Sequence, residues 1–512
     1  MDHFVDAGVD GVWLSPIFTS PMVDFGYDIS DFKDIDPAYG TIEDFTDMIK
    51  RAKELGIKVV IDFVPNHSSS ENDWFEKSES GIGKYKNFYV WREGRNDNKS
   101  PPNNWISVFT GPAWTYSDKR QQWYLHQFER RQPDMNYDSP ELRAEIGEVL
   151  NFWLEKGVDG FRIDAVPYIF EDPQFRDEPR SYAPGVTDEE SNYLNHIYTK
   201  DDPRTYELIS SWRKKLDDYA SFTNSEEKLM MSEAYTSLAN TTRFYESGVD
   251  VPFNFMLITE LDKNSTSDDF KKVIDTWLKA SPKNAVPNWV VGNHDRSRIA
   301  SMYPGRADQM TMLAMILPGV AVTYYGDEIG MVDKRDISWE DTQDPQACLA
   351  GRDQYLSLSR DPNRTPFQWD DTENAGFSNA SKTWLPVNSN YKELNLAKQK
   401  SAPESHYKIY QALTKLKKSS EALRNGSLKV ATLNDKKVLG VFRETTGQTL
   451  VLLINFSNND SQVVDLTKDG KFYKNSLVII ASLNSNVKVG NRMDPFKVNL
   501  PPKATLIIKS EE

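Results

Sequence analysis

The chain is 512 residues long, with Lys plus Arg at 61 and Asp plus Glu at 76, a formal net charge of −15. That balance is a poor basis for holding a polyanion and argues against nucleic acid or acidic lipid surfaces as general partners, while 38% hydrophobic residues supply a sizeable core and argue against disorder. A single cysteine, Cys348, leaves no internal disulfide and no thiolate zinc site.

The opening Met1-Asp2-His3-Phe4 carries neither a basic segment nor an apolar core, so no secretory leader is expected within this chain. Residues 9–18 read as a strand running into a loop. Residues 41–55 read as a helix: Thr41 can cap it, Asp44 follows three positions on, and Ile42, Phe45, Ile49 and Ala52 recur at helical spacing before Gly56 stops it. Residues 57–64 are continuous enough to form a strand buried on both faces. Strand, helix and strand with short joints make a crossover unit.

Between His67 and Tyr137 this alternation fails. The stretch holds Trp74, Trp91, Trp105, Trp114 and Trp123, with Pro101-Pro102. It far exceeds the usual βα loop of about 2–6 residues, so an inserted subdomain is expected there. The alternation resumes with a helix at 139–156 and strands at 157–164, 228–232, 288–291 and 320–324, the last preceded by a helix at 307–316. Residues 331–401 read as irregular. Short strands at 438–442, 449–455, 477–482 and 504–509 then mark an all-β C-terminal domain. No apolar run approaches the roughly 18 residues of a membrane span, and no Gly-X-Gly-X-X-Gly loop follows a strand. The class is α/β. The expected architecture is a parallel (β/α)8 barrel at 1–66 and 138–422, an insert at 67–137, and a β-sandwich at 423–512.

Polar residues at the C-terminal ends of barrel strands face the active site. Here those ends carry Asp62 with Asn66 and His67, Arg162 with Asp164, Glu233, and His294-Asp295. Any one of them alone reads as a solvated strand end or a helix cap. Together they describe either a metal site or paired carboxylates for acid, base and nucleophilic work. There is no His-X-His pair, and Arg162 stands two residues before Asp164, on the same face of a strand. A guanidinium there keeps a carboxylate ionised, which suits a nucleophile better than a cation ligand. Glycoside hydrolysis through two carboxylates is the reading that remains. The 12% aromatic content is compatible with stacking on sugar rings.

Asp62-Phe-Val-Pro-Asn-His67, Gly160-Phe-Arg-Ile-Asp164, Glu233 and Asn293-His294-Asp295 together resemble the motifs that define the alpha-amylase superfamily. Gln132-Pro-Asp-Met-Asn136, the segment from Ser20 to Ser30, and Arg364-Thr-Pro-Phe-Gln-Trp369 resemble its α-glucosidase branch, and Pro101-Pro-Asn-Asn-Trp105 and Tyr124-Leu-His-Gln-Phe128 resemble insect maltases. The resemblance implies a retaining, exo-acting α-glucosidase. Asp164 would be the nucleophile, Glu233 the acid and base, and Asp295 the third acid, on the 2- and 3-hydroxyls. Arg162 would orient Asp164, and His67 and His294 would bind sugar hydroxyls. Tyr27 would stack under the ring. Asp28 and Arg364 would close the pocket on the 4-hydroxyl, with Arg360 as second choice for Arg364. Ala165, small and directly after the nucleophile, implies α-1,4 substrates or sucrose over isomaltose.

Superfamily members begin with a strand and helix before the segment that matches residues 9–18, so the resemblance implies a barrel short of its first strand. The Asp-rich loop that binds calcium in many relatives would be missing with it. No cofactor is expected; partners are small α-glucosides. The alternatives are a transglucosylase or sucrose isomerase on the same scaffold, or a non-catalytic relative serving as receptor or transporter heavy chain. Asn-X-Ser/Thr patterns at Asn98, Asn240, Asn264, Asn379, Asn425 and Asn455 are either chance or a mark of a secreted glycoprotein.

Overall fold

The computed structural model describes residues 1–468 and 476–511, and the chain divides into two compact units. The first comprises Met1, Asp10–Phe253 and Gln343–Ser359. Its centre is a five-stranded sheet in which Gly11–Leu14, Lys58–Phe63, Gly160–Ile163, Leu229–Ser232 and Val251–Pro252 lie side by side in chain order, all parallel. An order without reversal is that of successive β/α units and has no doubly wound switch point. The first strand ends at Leu14, short of the expected 18, and Pro16 follows, which cannot donate to a ladder. Phe18–Thr19 instead pairs antiparallel with Asp31–Ile35.

The helices arise from local signals. In Ile42–Glu54 the Thr41 hydroxyl accepts the N–H of Asp44, and the Asp44 carboxylate accepts that of Thr41. This reciprocal cap contributes about 1 kcal/mol, and Phe45, Ile49 and Ala52 bury the inner face. Pro140–Glu155 starts on Ser139, with Pro in the first turn, where a missing N–H costs nothing. The sequence reading omits the helix Arg204–Thr223; its N-cap is Pro203, which makes no side-chain cap. Gly160 is dictated by packing: a Cβ there would lie 2.1 Å from the Leu229 carbonyl oxygen, so only glycine lets these neighbouring strands close.

Within the segment read as an insert, Trp91–Arg92, Gln122–Leu125 and Trp114–Ser117 form a three-stranded antiparallel sheet. Val90, Trp105, Ala113, Trp114 and Leu125 are its buried core. Of the five tryptophans in this segment, Trp91, Trp105 and Trp114 are buried and belong to its core.

The second unit comprises Asp2–Val9, Asn254–Thr342 and Arg360–Glu512. Asn288–Val290 and Val320–Val322 pair in parallel, and the helix Ala307–Ile316 lies where the sequence places it. Its C-terminal part is an antiparallel sheet in the order Ser427–Leu433, Val438–Thr445, Gln448–Asn455, Thr505–Glu511, Leu477–Ala481. The pair Gln462–Val464 and Val498–Leu500 shares one core with it, made of Phe442, Val451, Leu453, Val464, Val498, Leu506 and Ile508. Each such side chain stabilises by about 1.5–3 kcal/mol on burial. Asn455, one of the sequons, is fully buried, and its amide donates to the carbonyls of Asp460, Leu500 and Pro501.

Candidate active site

Parallel register builds the first half of the site. Asp62 is paired with Arg162, and Ile163 with Ser232, so Asp164 and Glu233 are the next residues along adjacent strands. The Arg162 guanidinium is 2% exposed and donates through Nη1 to Asp62 at 3.1 Å and to Asp164. Asp62 also accepts from the Tyr27 hydroxyl at 3.0 Å and the Trp13 indole at 3.3 Å. The guanidinium carbon sits 4.7 Å from the Trp13 ring centroid, a further stabilising contact for a desolvated cation. Glu233 Oε2 accepts the backbone N–H of Ala165 at 2.9 Å. Ala165 has φ +48°, in the left-handed region that residues other than glycine rarely adopt, and strain of this kind clusters at functional sites.

Burial pushes the Asp164 carboxyl well above its ordinary range; Arg162 opposes the rise, and the charges of Glu233 and Asp62 add to it. Asp62 is likewise raised by burial against Arg162. Burial thus works against the ionised forms of Asp164 and Asp62 alike, while the guanidinium they share favours them.

The remaining expected residues of this unit are arranged around that core. Asp28 is fully buried; its oxygens accept the N–H groups of Val23 at 2.8 Å and Asp24 at 2.9 Å, and burial pushes its carboxyl up to about 6. His67 lies between the side-chain amides of Asn66 and Gln132, each 3.2 Å away. Burial pushes its ring down to about 3, so it is a neutral hydrogen-bonding group.

In the second unit Asp295 Oδ1 receives Nη2 of Arg364 at 2.9 Å and Nη1 of Arg360 at 3.3 Å. Arg364 Nε also donates to the His294 carbonyl at 2.7 Å, and Asn363 donates to the same carbonyl at 2.8 Å. His294 Nε2 is 3.6 Å from Asp295 Oδ2. Arg364 and Arg360, considered alternatives for one role, thus converge on one carboxylate.

Among the described residues no group of three or more His, Cys, Asp or Glu is arranged to hold a metal. Asp134 and Glu171, both buried, accept the Gln127 side-chain amide at 2.8 and 3.2 Å.

The sequence reading placed Asp62 at a strand end but gave it no role, and it gave none to Trp13. The spacing of Asp62 before His67 was a signal; its pairing with Arg162 depends on strand register, which residue order does not display.

The alpha-amylase catalytic-domain family matches residues 1–426. The chain is 49% identical to Maltase 1 of Drosophila virilis, covering 99% of this chain and 82% of that protein. It is 45% identical to the alpha-glucosidase of Apis mellifera, covering 98% and 87%. Among solved structures, an alpha-glucosyl transfer enzyme superposes with a TM-score of 0.86 at 29% identity, covering 100% and 93%. The protein belongs to the alpha-amylase family.

Proposed function

We propose that this protein is a retaining, exo-acting α-glucosidase that removes terminal glucose from maltose, short malto-oligosaccharides or sucrose. The observation that carries this reading is Asp164 and Glu233 at one level, each directly after the paired strand ends Ile163 and Ser232, with Arg162 against the former. In the first step an Asp164 oxygen bonds to the anomeric carbon as the glycosidic C–O bond breaks, and Glu233 gives its proton to the departing oxygen. In the second, Glu233 takes a proton from water, whose oxygen attacks the anomeric carbon and frees Asp164. Two inversions leave the product an α-glucose.

The other residues keep the roles that the family resemblance gives them. Asp295, clamped by Arg360 and Arg364, takes the 2- and 3-hydroxyls; His67 and His294 bind hydroxyls; Tyr27 underlies the ring; Asp28 and Arg364 meet the 4-hydroxyl. No cofactor enters the chemistry. The parallel strands are read as the wall of a (β/α)8 barrel at 1–66 and 138–422, with 67–137 inserted and 423–512 as the sandwich. No helix among the described residues is long and apolar enough to cross a membrane. Similarity to the salivary alpha-glucosidases of Anopheles gambiae and Aedes aegypti, 46% and 45% identical, supports a secreted protein.

The test is product analysis on maltose, sucrose and isomaltose. Release of α-glucose as the first anomer, lost in Asp164→Asn, is expected, with maltose cleaved faster than isomaltose. First release of β-glucose, or a wild-type protein inert on every α-glucoside, overturns the reading. Transglucosylation is a second reading, supported by the likeness to a glucosyl transfer enzyme. A sugar hydroxyl would then replace water in the second step, and oligosaccharide products at high maltose would reveal it.

A further inference from the structure

Three loop segments of the first unit are fastened together beside the carboxylates. Lys200 Nζ donates to the carbonyl of Tyr235, two residues beyond Glu233, at 2.5 Å, and lies 5.5 Å from the ring centroid of Tyr168, four residues beyond Asp164. The N–H of Asp201 donates to the carbonyl of Pro167 at 2.7 Å, and its carboxylate accepts the Thr236 hydroxyl at 2.7 Å. Asp201 holds φ +63°, a left-handed backbone, as does Ala165. Strained conformations on both sides of one site are kept only where the surroundings impose them.

We propose that Lys200 is a positioning residue for Glu233: it ties the loop after the acid to the loop after the nucleophile, and it sets a positive charge beside the acid. The proposal rests on the α-glucosidase reading. Glu233 must give up a proton in one half-reaction and recover one from water in the next. A neighbouring ammonium favours its ionised form and so eases the proton's departure. Arg162 also acts on Glu233 through its charge, but its hydrogen bonds go to Asp62 and Asp164.

The charged and titratable groups around the pair are named readily. Lys200 is in the field of Asp201 and Glu233, with burial opposing its charge. Glu233 is in the field of Asp164, Arg162, Tyr168 and Lys200. Residues 200 and 201 lie in none of the family motifs quoted above, and nothing in their spacing marks them.

The test is the pH profile of kcat/KM on maltose for wild type, Lys200→Gln and Lys200→Arg. Lys200→Gln keeps a donor for the Tyr235 carbonyl and removes the charge. Its alkaline limb is expected to move up by about one pH unit, the scale of one partly screened charge at close range, while Lys200→Arg keeps the wild-type limb. Lys200→Met, a second uncharged variant, must move the limb in the same direction. A purely structural role would lower kcat in all variants and leave the limb in place. Superimposed limbs for wild type and Lys200→Gln in an active enzyme overturn this proposal alone; a wild type inert on α-glucosides overturns the reading beneath it.

Discussion

Glu233 Oε2 and the peptide nitrogen of Ala165 are 2.9 Å apart, so the group assigned to protonate the leaving oxygen is fastened to the residue that follows Asp164. Acid and nucleophile therefore share a backbone link as well as a sheet. A shift of one strand end would therefore be felt at both residues.

This assignment predicts a leaving-group signature. Glu233→Gln should lower kcat/KM on maltose by about 10²–10⁴-fold, the range for loss of a positioned acid. The loss should be much smaller on a nitrophenyl α-glucoside, whose phenolate leaves without a proton. Equal losses on both substrates would remove Glu233 from the role of acid.

Asp62 should prove indispensable although it touches no expected sugar atom. It is the partner of Arg162, Tyr27 and Trp13 in a buried network. Asp62→Ala leaves a guanidinium short of a counterion, which costs about 3–5 kcal/mol in comparable buried pairs. Urea unfolding of the purified variant measures this; a change under about 1 kcal/mol contradicts the network's importance.

His126 gives a pH-dependent test of stability. Its ring is 2.9 Å from the Thr115 hydroxyl and 3.1 Å from the Phe128 carbonyl, and burial pushes it down to about 4. Below about 6.5 the unfolded chain takes up a proton there and the folded chain does not. The unfolded state then binds more protons, so stability falls as the pH drops from about 6.5 to about 4. At most this amounts to about 1.4 kcal/mol per pH unit. His126→Gln should flatten that part of the stability curve relative to wild type, whatever its absolute stability. Parallel curves would refute the depressed ring.

Arg364 should tolerate no conservative replacement. Its Nε and Nη2 serve the His294 carbonyl and Asp295 in different directions, at 2.7 and 2.9 Å. A lysine offers a single nitrogen and cannot make the same fork. Arg364→Lys is expected to reduce kcat/KM by at least 10-fold with the fold retained by circular dichroism. Unchanged kinetics would show that Arg360 suffices to hold Asp295.

Much of this was legible in the residues. Thr41 and Asp44 announced a capping box because each group needed for it lies three positions from the other, and the helix Ala307–Ile316 was bounded correctly. The same signal at Thr266 and Asp269, which caps Ser267–Ala280, was passed over, and so was Arg204–Thr223. At the site, motif residues were found where chemistry and spacing are both local. Asp62 paired with Arg162 was not, since that contact is a product of strand register. Lys200 was not, since it holds a main-chain carbonyl of another loop, which any residue there would supply.

Asn455 has one more implication. Its Asn-Phe-Ser acceptor is sealed beneath carbonyls of the 460 and 500–501 turns, so no transferase reaches it once the C-terminal sheet has formed. A machinery that decorates nascent chains would meet it while those turns are still unmade. A sugar on this position would then wedge the last strand pairings apart. Secreted material free of sugar at residue 455, but not at the exposed Asn264, would mean that closure of the sheet outpaces the enzyme.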